Sequence, residues 1–421
     1  MNVQEYVKDY GRRAKSASRV LAVTDTVKKN RALELAAEKI KENRDYLIKE
    51  NEKDIEYAIN NGISSAMVDR LRLTDKRIDD MATGLIQLAN LPDPIGEVIH
   101  GTVRPNGLEI LKKRVPLGVI GIIFESRPNV TADAAGLCVK SGNACILRGG
   151  SEAVNSNIAI AKLFREALKD AGLPEDCVNL IDNTDRAIVN ALMKLNKYVD
   201  VLIPRGGKGL INNVVMNSTV PVIQTGEGIC HLYVDCNADL DMALNVTMNA
   251  KIQRPSVCNA IETLLVSKTV ADKFLPVVVK ELMEKNVEVR VCSISKEILG
   301  NMEGVKDADD SDWDTEYNDL VLSIKTVAGI EEAIEHINSH GTMHSESIIT
   351  TSYDKARKFQ SEVDASSVYV NCSTRFTDGF EFGLGAEIGI SNQKLHARGP
   401  MGLYELTTVK YLINGKGQIR E

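Results

Sequence analysis

Apolar residues in the first hundred positions recur at helical spacing among Lys and Glu side chains. The recurrence is clearest at Ala32, Leu33, Leu35, Ala36, Ile40, Leu47 and Ile48. A polar, Pro-containing break at 90–96 ends this region. The pattern therefore predicts that the chain begins with a set of amphipathic helices.

Beyond the break, short strand-like apolar runs alternate with stretches in which apolar residues recur at helical spacing. Asn-Gly within 104–107 predicts a hairpin turn between strand-like runs at 99–103 and 108–115. Further strands are predicted at 118–124, 144–148, 178–181, 199–203, 220–224 and 231–234, and the clearest helix at 155–171. Alternation at this spacing predicts a parallel sheet wrapped by helices.

A second alternation of strands and helices begins at Cys258. Its predicted strands are 263–266, 287–292, 320–324, 347–350 and 367–371, and a last strand is predicted at 404–413. The predicted fold class is α/β, with a parallel-sheet domain followed by a second α/β domain.

Composition and charge exclude several classes of partner. The net charge of −7 argues against nucleic acid or an anionic membrane as the main partner. No apolar run approaches the ~20 residues that a membrane helix needs. The first residues lack an apolar signal core, and the eight cysteines include no CxxC pair. We therefore expect a cytoplasmic protein with free thiols.

Cys258 is the cysteine best placed for chemistry. It lies in a polar, Pro-stiffened turn, 253–259, directly before a strand-like run at 262–266. A thiol in a turn directly before a buried strand is held rigidly and can still be reached by a substrate in a cleft. A catalytic nucleophile needs both properties. The alternative is that Cys258 is a small buried hydrophobic residue, as many cysteines are.

Three loops follow predicted strands of the first sheet. Asn129, in 124–131, has an amide that can donate to an oxyanion, or it is a turn or cap residue. In the loop Arg148-Gly149-Gly150-Ser151, glycine lets backbone approach a ligand and Arg148 suits a phosphate. The third loop contains Gly206 and Gly207 and is neither a Walker A nor a GxGxxG sequence.

His336, His340 and His344 are spaced four residues apart, a pattern that a metal-binding helix also shows. Gly341 predicts the end of that helix, so His344 is expected to lie beyond it. Histidines also favour the last turn of a helix because of its dipole. We therefore predict no metal site.

Three segments, 115–153, 254–266 and 327–349, resemble the aldehyde dehydrogenase superfamily. More narrowly, the whole chain resembles the branch that reduces L-glutamyl 5-phosphate to L-glutamate 5-semialdehyde in proline biosynthesis. The third segment, with its spaced histidines, is similar to the signature of that branch. The resemblance implies NADP(H) as cofactor.

The resemblance also implies the domain organisation. It implies an aldehyde dehydrogenase-like α/β fold, with 1–98 and 116–255 as a Rossmann-type dinucleotide-binding domain, 256–400 as an α/β catalytic domain, and 99–115 with 401–421 as a small β oligomerisation module. The implied assembly is a homodimer or a larger homo-oligomer, and glutamate 5-kinase is a candidate partner.

By position, the resemblance gives roles to individual residues. Cys258 occupies the nucleophile site, and Asn129 the position of the oxyanion-binding asparagine. Arg148 replaces a lysine that contacts the cofactor ribose, and Glu316 resembles the glutamate that anchors the nicotinamide ribose. The cation for the substrate's α-carboxylate is expected among three arginines that sequence does not rank, Arg254, Arg375 and Arg398.

One departure from the superfamily concerns hydrolysis. Hydrolytic members carry a general-base glutamate in Glu-Leu-Gly-Gly, whereas 224–228 here reads Gln-Thr-Gly-Glu-Gly. A missing base agrees with a thioester that is protected from water. The alternatives are a hydrolytic aldehyde dehydrogenase with Glu227 as a shifted base, and a non-catalytic nucleotide-binding protein on the same fold.

Overall fold

A computed structural model describes residues 2–125 and 127–420. In this part of the chain the α-helices, labelled α1 to α14, are Val3–Leu21, Thr26–Glu42, Arg44–Asn60, Ser65–Leu71, Asp75–Asn90, Asn129–Lys140, Val154–Asp170, Arg186–Leu192, Lys208–Asn217, Leu240–Ile252, Lys268–Glu284, Ser293–Leu299, Ile330–His340 and Tyr353–Glu362. The strands, labelled β1 to β16, are Val98–Val103, Glu109–Pro116, Val119–Phe124, Ala144–Arg148, Val178–Leu180, Val201–Arg205, Cys230–Val234, Ile261–Ser267, Glu288–Val291, Lys306–Asp307, Val321–Val327, Ser345–Ile349, Ser367–Val370, Ile390–Ser391, Gly399–Pro400 and Thr407–Asn414. Short 3₁₀ helices lie at Ser151–Ala153, Glu175–Cys177, Asp310–Asp314 and Thr374–Phe376.

The predicted helical start is confirmed by α1 to α5. Short polar side chains cap four of these five helices; at α2, for example, Asp25 accepts a hydrogen bond from the Lys28 backbone N–H at 2.9 Å. Such caps satisfy donors that the first turn of a helix leaves open. The apolar face of α2, with Leu33 and Ile40 fully buried, packs against α5 and α7.

The first compact unit contains the residues up to Gln224, Gly383–Gly389 and the chain from Met401 onward. Its parallel sheet has the strand order β5-β4-β3-β6. Because β4 and β6 flank β3 on opposite sides, the strand order reverses at β3, and ligands bind at such points outside the carboxyl ends of strands. The same unit holds the antiparallel sheet β1-β2-β16.

The second compact unit consists of Thr225–Phe382 and Ile390–Pro400. Its parallel sheet has the order β10-β9-β11-β8-β7-β12-β13. Central strand β8 is fully buried, and α10 and α11 cover one face of it with an apolar core. The unit begins at Thr225, and the functional domain boundary at 255 stays a prediction.

Two predicted strands of the first sheet are corrected by the structure. Strand β7 joins β8 and β12 in the second unit. The segment 220–224 is not a strand, since only an isolated bridge joins Val222 to Leu202. Both segments are short and apolar, and such a pattern does not identify the sheet that buries it.

Among the described residues, no helix has both the length and the apolar character needed to span a membrane.

Candidate active site

Cys258 lies in the turn between α10 and the amino end of β8. Its side chain is half-buried, and the turn is closed by the Ala260 backbone N–H, which donates to the Val257 carbonyl at 3.0 Å. The buried Cys230 thiol donates a hydrogen bond to the Cys258 carbonyl oxygen, with an S–O distance of 3.1 Å. The backbone of Cys258 is thus fixed by its neighbours while its thiol stays within reach of small molecules.

A glycine-containing loop, 225–229, packs against this turn. A Cβ atom at Gly228 would collide with the Cys258 carbonyl oxygen, and one at Gly226 would collide with the amide of Asn392. Thr342 Oγ1 donates to the Glu227 carbonyl oxygen at 2.7 Å and accepts from the Ile229 N–H at 3.0 Å. The loop can therefore approach the thiol turn this closely only because Gly228 has no side chain, and Gly226 leaves room for Asn392 in the same way.

Glu316 is joined to the same loop. Its carboxylate oxygen Oε1 accepts a hydrogen bond from the Gly228 N–H at 2.8 Å. Because Gly228 contacts the backbone of Cys258, the structure brings Glu316 into the surroundings of the thiol turn. Its predicted contact with a nicotinamide ribose stays a prediction.

The three candidate arginines differ in their surroundings. Arg375 is half-buried, and its Nε donates to Gln253 Oε1 at 2.9 Å. Burial lowers the pKa of Arg375, the positive charge of Arg254 lowers it further, and the charge of Cys258 raises it. Arg398, by contrast, pairs with Asp364, with an N–O distance of 2.7 Å. Arg375 therefore lies within electrostatic range of both Arg254 and Cys258, whereas Arg398 is paired with Asp364.

Asn259 is a residue that the sequence analysis missed. Its Nδ2 donates to the carbonyl oxygens of Thr377 at 2.9 Å and Arg375 at 3.3 Å. In return, Thr374 Oγ1 donates to the Asn259 carbonyl oxygen at 2.6 Å. These bonds hold the segment that carries Arg375 against the residue next to the nucleophile. The one sequence signal for Asn259 was its position directly after Cys258.

A buried ion pair, also missed, lies behind the thiol turn. Lys251 Nζ and Glu262 Oε2 are 2.5 Å apart, and the two side chains are 0% and 1% exposed. Burial raises the pKa of Glu262 to about 7 although Lys251 opposes the shift, and burial lowers the pKa of Lys251. For both groups the cost of desolvation thus exceeds the attraction of the partner.

In the first unit, Asn129 begins α6. Its Nδ2 donates to Asp133 Oδ2, one turn later, at 3.0 Å. Burial raises the pKa of Asp133 to about 6, while the bond from Asn129 and the charge of Arg205 oppose that shift. An amide nitrogen carries two N–H groups, so the bond to Asp133 orients the amide and leaves a second donor.

At the reversal of strand order, polar residues and glycines follow the carboxyl ends of β3 and β6. Glu125, directly after β3, accepts a hydrogen bond from the Gly207 N–H at 2.9 Å. A Cβ at Gly206 would lie 2.6 Å from the Glu125 carboxyl carbon, so any larger residue there would displace the Glu125 side chain. Helix α9 begins just beyond, at Lys208, and its first N–H groups favour an anion.

Arg148 ends β4 on the other side of β3. Its two terminal nitrogens donate to the carbonyl oxygens of Gly149 and Thr184, each at 2.8 Å. Burial lowers the pKa of Arg148, and its Nε is buried without a hydrogen-bond partner in the described residues. Ser151 lies exposed two residues beyond Gly149, at the start of a 3₁₀ helix.

The three spaced histidines have separate environments. Helix α13 ends at His340, and Gly341 follows it as predicted. The rings of His336 and His340 lie 4.5 Å apart, whereas His344 Nδ1 lies 2.9 Å from Ser345 Oγ. Burial and neighbouring charges lower the pKa of His336 to about 2. The described residues contain no group of three or more side chains arranged to hold a metal ion.

Comparison with known proteins identifies the family. The model of the aldehyde dehydrogenase family matches residues 2–291 and 306–411. A gamma-glutamyl phosphate reductase of Clostridium botulinum is 60% identical over 410 residues, which are 97% of this chain and 98% of that protein.

Solved structures agree with this match. The gamma-glutamyl phosphate reductase of Thermotoga maritima superposes with a TM-score of 0.96 at 51% identity, covering 99% of this chain and 100% of that one. A glyceraldehyde-3-phosphate dehydrogenase of Methanocaldococcus jannaschii, solved with NADP, shares the fold, with a TM-score of 0.69 at 19% identity, covering 98% of this chain and 95% of that one. The predicted fold class is thus confirmed. The chain belongs to the aldehyde dehydrogenase family and, within it, to the branch of the gamma-glutamyl phosphate reductases.

Proposed function

We propose that this chain is a cytoplasmic enzyme that reduces L-glutamyl 5-phosphate to L-glutamate 5-semialdehyde and phosphate, the second step of proline biosynthesis from glutamate. The observation that carries the proposal is the half-buried Cys258 thiol, with the segment of Arg375 hydrogen-bonded to the next residue, Asn259, and Arg254 near Arg375. A thiol is the side chain for acyl transfer, and two like-charged guanidinium groups held near each other favour an anionic substrate. The names of the relatives agree with this reaction.

Aldehyde dehydrogenases use nicotinamide cofactors, and we propose NADP(H) for this chain. The loop at Gly206 and Gly207 supports this assignment, because it follows the carboxyl end of β6, where the strand order reverses, and α9 begins directly after it. We assign Gly149, Ser151 and Glu316 to the same cofactor. Each terminal nitrogen of Arg148 keeps a second N–H that suits the 2′-phosphate. When bound, NADPH supplies the hydride.

Cys258 performs two steps that need opposite properties. As a thiolate it attacks the acyl carbonyl carbon, and the C–O bond to phosphate breaks, which leaves a thioester on Cys258. After reduction of the thioester carbonyl, the same sulfur leaves as thiolate and the semialdehyde is released. The positive charge of Arg375 favours the thiolate, and the Asn129 amide is proposed as a donor to the oxyanion.

The loop beside the thiol turn supports transfer to phosphate over hydrolysis. It has no glutamate in register with the general base of hydrolytic family members, and the Glu227 carbonyl is bound by Thr342. Without a base to activate it, water attacks a thioester slowly. Phosphate, a stronger nucleophile, is then the acyl acceptor in the reverse reaction.

The reverse reaction tests the proposal directly. With glutamate 5-semialdehyde, NADP and phosphate, we expect NADPH formation, followed by its absorbance, and a rate that falls to background when phosphate is omitted. NAD in place of NADP is expected to give the slower reaction. Oxidation at the same rate without phosphate would contradict the proposal and would indicate a hydrolytic aldehyde dehydrogenase.

Arg375 is proposed as the cation for the substrate's α-carboxylate. Because a hydrogen bond to a charged group contributes about 1.5–3 kcal/mol, Arg375→Gln should raise the KM for the semialdehyde by roughly 10- to 100-fold. The KM for phosphate should change little. Initial rates with each substrate varied in turn give both constants.

Arg398→Gln is the matched control, because that guanidinium pairs with Asp364. It should leave both KM values near those of the unmodified enzyme. If Arg375→Gln raised the KM for phosphate instead, Arg375 would belong to the phosphate site and the assignment would be wrong.

We also propose a homodimer or larger homo-oligomer that forms through the sheet β1-β2-β16. Strand β16 pairs with β2 along one side, and Tyr411 and Ile413 on it are each 61% exposed. Exposed apolar side chains on an edge strand are a liability that a second chain can cover. A solution mass equal to one chain, measured by light scattering, would contradict this proposal.

A further inference from the structure

Cys236 and Lys355 form a close pair in the second unit, apart from the thiol turn. Cys236 follows the carboxyl end of β7, and Lys355 lies in the first turn of α14. The Lys355 Nζ and Cys236 Sγ atoms are 2.7 Å apart. The Lys355 backbone N–H donates to the Ser352 side chain that caps α14, so the backbone that carries the lysine side chain is held in place.

The nitrogen–sulfur distance is short for a hydrogen bond. Hydrogen bonds from N–H to oxygen span roughly 2.7–3.2 Å, and sulfur is a larger atom than oxygen. Elsewhere in this chain the Thr326 nitrogen lies 3.4 Å from Cys292 Sγ, and Arg70 NH1 lies 3.9 Å from the sulfur of Met67. A separation of 2.7 Å is the spacing of a nitrogen and a sulfur that are bonded to one shared oxygen atom.

The surroundings hold the lysine in place and leave the sulfur accessible. Lys355 Nζ donates to Asp235 Oδ1 at 2.8 Å and Oδ2 at 3.1 Å, and to Asn237 Oδ1 at 3.1 Å. Asp235 is itself fixed by Thr350 Oγ1, which donates to it at 2.9 Å, and is fully buried. Cys236 is half-buried, so a small oxidant can reach its sulfur.

We propose that Cys236 and Lys355 are an oxidative modification site, at which a covalent N–O–S bridge forms between Lys355 Nζ and Cys236 Sγ. The oxidant is one molecule of dioxygen or two molecules of hydrogen peroxide; the two peroxides leave one oxygen atom in the bridge and release three water molecules. With dioxygen, the ammonium first releases a proton; the S–H bond and one N–H bond then break, and N–O and O–S bonds form. The second oxygen atom leaves as water with the two hydrogens. Nitrogen and sulfur lose four electrons in total, and dioxygen gains them.

The bridge ties together segments that are 119 residues apart in sequence. Closing a long loop in the unfolded chain stabilises the folded state, as disulfides do. Parallel strands β7 and β8 place Cys236 beyond a carboxyl end and Cys258 before an amino end. The two cysteines thus belong to opposite edges of the sheet, so the bridge changes stability without using the nucleophile.

The test uses the full-length protein, purified with dithiothreitol, freed of it, and exposed to graded hydrogen peroxide. Intact mass spectrometry should show a species heavier by one oxygen atom and lighter by two hydrogen atoms, which a sulfenic acid or a disulfide does not match. Peptide mapping should join the peptides that contain Cys236 and Lys355. Dithiothreitol should reverse the change, and the bridged form should unfold more slowly in urea.

Two variants complete the test. Cys236→Ser keeps the size of the side chain, and Lys355→Arg keeps the cation beside Asp235; neither should yield the bridged species, and both should retain activity. Oxidation of Cys236 to sulfenic or sulfinic acid with no link to Lys355 would overturn the proposal. A link from Cys236 to another lysine would overturn it equally.

Discussion

Cys258→Ser is expected to lower the rate of phosphate-dependent NADP reduction by roughly 10⁴-fold or more. A serine hydroxyl stays protonated near neutral pH, and as an ester its alkoxide is a poor leaving group, so both steps assigned to Cys258 fail. The assay is NADPH formation from glutamate 5-semialdehyde and phosphate. Binding of cofactor, measured separately, should be unchanged.

Cys292→Ser is the matched control for this substitution. Cys292 is also a half-buried thiol in the second unit, but its sulfur contacts Ser295 and the backbone of Thr326. Its serine variant should keep nearly full activity. Should Cys258→Ser keep most of its activity, the nucleophile assignment and the thioester route would both be wrong.

Lys251→Met is expected to lower the free energy of unfolding by about 3–5 kcal/mol. The change leaves the buried Glu262 carboxylate without its cation, which costs far more than the lost ion pair itself. Urea unfolding can be followed by the fluorescence of Trp313, the one tryptophan of the chain. Trp313 lies in the same unit as the pair, so its signal reports the unit that is destabilised.

Two comparisons separate burial from charge. Lys280→Met breaks an exposed pair with Glu284, 71% and 57% exposed, and should change stability by about 0.5 kcal/mol or less. Adding Glu262→Leu to Lys251→Met should restore most of the loss, because the apolar pair needs no cation. If Lys251→Met lowered the free energy of unfolding by no more than Lys280→Met does, breaking the buried pair would cost no more than breaking the exposed one, and the prediction would be wrong.

The pH dependence of the Lys251→Met deficit has a definite sign. In the unmodified protein burial raises the pKa of Glu262 to about 7 from an ordinary 4.5, so its stabilising contribution is full below pH 4.5 and is lost as pH rises through 7. Removing Lys251 raises that pKa further, since Lys251 is the group that lowers it. The deficit should therefore grow as the pH rises above about 7.

Local pattern was sufficient for much of the fold. The strand predicted at 144–148 coincides with β4, because five consecutive buried residues between polar loops leave few alternatives. The predicted helix at 155–171 differs from α7 by one residue at each end. Gly341 ends α13 as predicted, since that position follows the last apolar residue of the repeat by a few residues.

The features that the sequence pattern did not predict depend on contacts between residues that are far apart in the chain. In the sequence, Lys251 and Glu262 look like ordinary surface charges. They become a buried pair because α10 packs on β8. Arg375 stands 117 positions from Cys258 in the sequence, so its place beside the thiol depends on the bonds to Asn259. Strand β7 was assigned to the wrong sheet for the same reason.

The two glycines beside the thiol turn have a consequence for directed evolution. Any other codon at Gly226 or Gly228 places a side-chain carbon inside Asn392 or the Cys258 backbone, so both positions tolerate essentially no diversity. A library meant to turn this enzyme into a hydrolase has room for a new base at Gln224, Thr225 or Glu227. The variation that selection can use here is therefore confined to the positions before and between the two glycines.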